Sequence, residues 1–141
     1  MTISEKINEV KDIFELFDDS KDKYIQIIDM GKKSSGLLPE EKIEEHKIYG
    51  CTSQAWAVIE QRGNKTYYVR TDSDALIVKG LLRILENICD GETFENIDSI
   101  DGNYILDAVG LNGTISSQRT NGVSSALEKI KKDIKWMEMK N

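Results

Sequence analysis

The sequence predicts an α+β fold: a small antiparallel β-sheet of about three strands packed against helices from both chain ends. Three observations predict it. Apolar residues recur at helical spacing near the start and the end of the chain. Between residues 53 and 73 two β-rich runs flank a glycine-containing turn. The order of elements, helices then strands then helices, is that of one α+β domain covering residues 1–141.

The elements follow in order. Residues 4–17 carry Ile7, Val10, Ile13, Phe14 and Phe17 as one helical stripe. Asp18, Asp19 and Ser20 interrupt it and supply capping groups for a second helix, which runs to about Lys33 with Tyr24, Ile27, Ile28 and Met30 inward. "SSGLLPEEKIEEHK" holds the only proline and reads as a long surface connection whose glutamates face water. A short strand before Cys51 is expected to join a hairpin formed by "SQAWAVIEQ" and "KTYYVRTDS", with Arg62, Gly63 and Asn64 at its turn. Asp72, Ser73 or Asp74 then caps a helix whose Leu76, Ile77, Leu81, Ile84, Leu85 and Ile88 are mostly core. Residues 93–110 suggest two short helices, and "GLNG" breaks the chain before a long C-terminal helix. Within that helix, "KIKKDIK" reads as a solvated lysine face beside Ile130 and Ile134.

Composition narrows the function. With 39% hydrophobic and 31% charged residues, the 141-residue chain is too apolar for disorder and suffices for one core. A formal charge of −6 argues against nucleic acid as partner, because phosphate binding rests on Lys and Arg. No apolar run is long enough to span a membrane, and the charged, amphipathic N-terminus has no signal-peptide core, so a cytoplasmic location is expected.

The chain has two cysteines and one histidine. A Cys51–Cys89 disulfide does not suit a reducing cytosol. Cys51, Cys89 and His46 lack the spacing of a metal set, so no metal is expected. Cys89 follows Ile88 near the end of an apolar helix and reads as a small buried hydrophobe. Cys51 stands apart in "YGCTSQAW": Gly50 permits a sharp turn before it, and Thr52 and Ser53 leave room around the sulfur. It is the candidate nucleophile, and the charged surroundings of His46 make a hydrolytic dyad a weak reading.

Four segments carry a resemblance. "GCTSQAW" at 50–56, "DSDALIVKGLL" at 72–82, "SQRTNG" at 117–122 and "YIQIIDMGKK" at 24–33 resemble, in order and spacing, motifs of the SufE/CsdE family of sulfur-acceptor proteins. Thr52, Ala55 and the pair Ser117-Gln118 depart from the usual family residues. The resemblance implies a fold similar to that of the cluster scaffold IscU. It implies that the chain accepts persulfide sulfur on Cys51 from a SufS/CsdA-type cysteine desulfurase, stimulates that enzyme and passes sulfur to a SufBCD-type assembly complex. Such a protein is a persulfide carrier and activator rather than a stand-alone enzyme. It has no cofactor of its own, the pyridoxal phosphate being on the desulfurase. Gly50, Ser53, Asp74 and Arg119 fall in the matched segments as residues that shape the cysteine loop or meet the partner. For Asp74, helix capping competes with that role. Arg119 could pair with Asp74, draw thiolate character from Cys51 or contact the desulfurase. The runner-up is a degenerate IscU-like scaffold that binds metal or a nascent cluster; a homodimer is left open.

Overall fold

The structure is a computed structural model that describes residues 1–140. Helix α1 (Ile3–Glu15) begins at Thr2, whose side chain accepts from the Glu5 N–H while Glu5 reaches back to the Thr2 N–H. It buries Ile7, Val10 and Phe14 and leaves Ile13 exposed, so the apolar stripe is narrower than the sequence suggests. Helix α2 (Ser20–Lys33) is capped by Asp19, one of the three expected groups, and buries Ile27 and Met30.

The connection from 34 to 54 folds through two short 3-10 turns, Pro39–Glu41 and Glu44–His46. It is more firmly attached than a solvated loop. Arg70 grips the Glu41 carboxylate with both guanidinium nitrogens, one of them at 2.9 Å. That pairing, with the Leu38 N–H, holds the Glu41 carboxyl down to about 2.

Strands β1 (Ala55–Arg62) and β2 (Thr66–Ser73) pair antiparallel with Ala55 opposite Ser73 and Arg62 opposite Thr66. Side chains alternate across the pleat, so Ala55 and Ala57 on β1 and Tyr67, Val69 and Thr71 on β2 face inward. The expected third strand is reduced to one bridge between Lys47 and Trp56, with the Ile48 N–H donating to the Ala55 carbonyl. The sheet therefore has two strands. Pairing ends there because the chain turns at Gly50, whose φ of +97° is incompatible with a continuing strand.

Helix α3 (Leu76–Cys89) is the centre of the molecule, packed against α2 on one side and β2 on another. It buries ten of its residues, including Leu81, Leu82, Leu85 and Ile88, whereas Leu76 is exposed. None of the expected aspartates caps it. The N-cap is Ala75, whose own N–H is taken by the Ser73 hydroxyl. Helices α4 (Phe94–Asp98) and α5 (Gly102–Ala108) lead to α6 (Ser117–Lys140), which buries Val123, Leu127, Ile130 and Ile134. Trp136 and Met139 near its end are exposed. No helix among the described residues is long and apolar enough to cross a membrane.

Candidate functional site

The loop between the Lys47–Trp56 bridge and β1 carries Cys51 to the face of α6. Both stems are pinned. On one side Ile48 bonds to Ala55. On the other, the Asp74 carboxylate accepts from the Gln54 N–H at 3.1 Å, and the Asp74 N–H donates to the Gln54 carbonyl. The Ser73 hydroxyl donates to that carbonyl as well, at 2.8 Å. Asp74 is thus a loop-shaping residue in geometry, not a helix cap.

Between these stems, Gly50 holds its positive φ against α6. A Cβ at residue 50 would run into the Ser125 hydroxyl and stand 3.1 Å from the Ser125 Cβ. This is a position for glycine on both counts, backbone angle and space. Cys51 follows, half-buried, with its thiol aimed at the Gly122 carbonyl of α6, Sγ to O 3.7 Å.

Beside the sulfur lies a cavity of about 10 Å³. Its walls are Val78, Leu81 and Leu82 of α3 and Arg119, Gly122 and Val123 of α6, with Thr52 on the loop side. A space of this size holds one water-sized body. Burial pushes the Cys51 thiol above its ordinary value, so at neutral pH the resting sulfur is protonated. Arg119 lines the same cavity.

The guanidinium of Arg119 lies over the Tyr24 ring, 5.9 Å from its centroid. Among the described residues no ion pair joins it to Asp74. The two side chains flank the cysteine loop from different elements, Asp74 through the stem and Arg119 through the cavity wall. Ser53 is half-buried in the loop beside Thr52, which is exposed.

Cys89 has a different environment. It is fully buried in the core, and burial together with the neighbouring Asp90 pushes its thiol up to about 12. Among the described residues, no three His, Cys, Asp or Glu side chains converge as metal ligands.

Two residues near the site carry more than their sequence context suggests. Asp72, the first aspartate of "DSDA", is buried and accepts from the Leu37 N–H at 2.9 Å and the Ser73 N–H at 2.8 Å. Lys42 and Lys79 approach the same carboxylate at 3.2 and 3.5 Å. Burial alone would raise its pKa, but these donors and cations hold it below the usual carboxylate value. Gly122 is the last residue of "SQRTNG", and its place under the sulfur is set by tertiary packing alone.

The chain is similar over its length to proteins already grouped by sequence. An uncharacterized SufE-like protein of Rhizobium etli is 34% identical over 132 residues, covering 92% of this chain and 89% of its own. Another, from Rhizobium meliloti, is 33% identical over 130 residues, covering 90% and 93%. The solution structure of a hypothetical protein from Thermus thermophilus superposes with a TM-score of 0.76 at 15% identity. It covers 95% of this chain and 96% of that one, and it shows the shared α+β fold. The model of the SufE family, described as an Fe-S metabolism associated domain, matches residues 8–134, and the chain therefore belongs to the SufE family.

Proposed function

We propose that this protein is a sulfur carrier in which Cys51 takes persulfide sulfur from a cysteine desulfurase and delivers it to iron–sulfur cluster assembly. One observation carries the reading: a single half-buried thiol sits at the tip of a pinned loop, beside an apolar cavity with room for about one further atom. A terminal persulfide sulfur is comparable in size to that space. The SufE family match supports the link to Fe–S metabolism.

The chemistry needs little from the carrier beyond the thiol. The Cys51 thiol leaves its seat beside the cavity, loses its proton to water and attacks the outer sulfur of the desulfurase cysteine persulfide. A new S–S bond forms at Cys51, the old S–S bond breaks, and the desulfurase cysteine leaves as its thiolate. No oxidant is consumed. A second exchange of the same kind moves the sulfur on to a SufBCD-type complex. Retracted into the cavity between transfers, the persulfide is kept from small thiols and from oxidation.

Two measurements test this. After incubation with a SufS/CsdA-type desulfurase and cysteine, intact mass should rise by one sulfur in the wild-type chain and stay unchanged in Cys51→Ser. Full stimulation of the desulfurase by Cys51→Ser, with no mass gain in the wild-type chain, would instead favour a regulatory subunit that carries no sulfur. Visible absorption after addition of iron and sulfide would favour a cluster scaffold. The second measurement concerns loop opening. Alkylation of Cys51 should accelerate when a catalytically inactive desulfurase is added, with faster hydrogen exchange over residues 49–53. Slower alkylation with unchanged exchange would mean simple occlusion.

A further inference from the structure

We infer that Gly122, in α6, is a positioning residue for the reactive sulfur, and that its missing side chain is what lets Cys51 rest in its sheltered seat against the helix. The inference deepens the reading of Cys51 as acceptor and rests on it for its functional meaning.

Residue 122 lies inside a long helix, where glycine is a poor choice on propensity alone. It is buried, and the atoms above it are those of Cys51. A Cβ at residue 122 would stand 3.1 Å from Sγ and 3.9 Å from both Cα and Cβ of Cys51. The 3.1 Å approach is tighter than ordinary van der Waals contact, where carbon atoms pack at about 3.5–4.0 Å. The sulfur would have to give way. It cannot do so freely, because the loop stems are fixed at Ile48–Ala55 and Gln54–Asp74 and Gly50 is wedged against Ser125. The displaced sulfur therefore either fills the cavity beside it or swings outward with the loop tip. The cavity is small and also lined by Gly122, so the outward move is the one that gives up the Gly122 carbonyl contact and brings the thiol into water.

Helix preference and sulfur seating thus pull residue 122 in opposite directions. Alanine there favours α6 and disfavours the docked cysteine. Neighbouring Asn121 separates the two effects, since it is exposed on the same turn and points away from the buried face.

The test is peptide-resolved alkylation of Cys51 in the free protein, across a pH series, in wild type, Gly122→Ala and Asn121→Ala, with Cys89 as internal control. No desulfurase is needed, so the result stands whether or not sulfur transfer is later found. In Gly122→Ala, Cys51 should react about three- to tenfold faster near neutral pH, a modest shift from docked to open loop. Its alkylation midpoint should fall toward an ordinary thiol's, while Cys89 stays unreactive and the melting temperature is not lowered. Asn121→Ala should match wild type in all of these. A Gly122→Ala protein whose Cys51 rate and midpoint equal those of Asn121→Ala would overturn the assignment. So would acceleration of Cys51 and Cys89 together, which would mark residue 122 as a packing position for the whole fold.

Discussion

Replacing Gly80 by alanine should destabilise the fold by at least about 3 kcal/mol, the high end of what overpacking a core costs. The reason is the crossing of α2 and α3. A Cβ at residue 80 would fall on the Ile27 carbonyl oxygen of α2 and within 2.8 Å of both the Ile27 carbonyl carbon and Cγ2. Across the same contact, a Cβ at Gly31 would meet the Leu76 carbonyl oxygen and stand 3.0 Å from the Gly80 nitrogen. Two backbones touch here, and neither can yield by a rotamer change. Alanine's better helix propensity offsets only about 1 kcal/mol. Thermal unfolding of Gly80→Ala should therefore show a melting temperature lower by roughly 10 °C. A melting temperature within about 2 °C of wild type would mean that the helices separate at little cost. Because α3 also supplies Val78, Leu81 and Leu82 to the cavity, a spread crossing would loosen the sulfur's seat too.

Asp72→Ala should have the next largest effect on stability, roughly 3 kcal/mol at neutral pH, the lower end for removing one member of a buried charge pair. The lower end applies because Lys42 and Lys79 keep 34% and 21% of their side chains exposed and can recover hydration. The Leu37 N–H has less recourse, being buried with the segment it anchors. The pH dependence has a definite sign. The folded carboxyl titrates below its unfolded value, so its contribution is complete above about pH 4 and is lost as pH falls through the folded value. Urea unfolding at neutral pH and near pH 3 should show the gap between wild type and Asp72→Ala closing in acid. A gap that stays constant would assign the loss to packing and not to charge.

Much of this architecture is legible in the sequence, for reasons that differ by element. The hairpin is plain because alternation places Ala55 and Ala57 on one face, and Tyr67, Val69 and Thr71 opposite them. Helix α3 is plain because its apolar residues recur at helical spacing, although Leu76, in its first turn, projects to solvent. The third strand is not legible as a single bridge, because its shortness depends on where Gly50 meets Ser125, a contact with a helix far along the chain. The site divides in the same way. Cys51 and Cys89 are told apart by local context alone. Asp74 looks like a cap because an aspartate before a helix usually is one, and only the fold shows Gln54 within its reach. Asp72 is hidden for the same reason: apart from the adjacent Ser73 N–H, its partners are residue 37 and two lysines on either side in sequence. Arg119 is visible as a matched residue, but its stacking on Tyr24 depends on how α2 and α6 come together. Gly31 and Gly80 occur in two separate matched segments, and the structure joins them into one contact.

The central claim is that sulfur is carried on Cys51, and the most direct measurement is where sulfur sits after charging. The protein is incubated with a SufS/CsdA-type desulfurase and cysteine, trapped with an alkylating reagent and digested. Mass spectrometry of the two cysteine peptides should find one added sulfur on the peptide containing Cys51 and none on that containing Cys89. Sulfur on Cys89 that persists in Cys51→Ser and vanishes in Cys89→Ser would contradict the account.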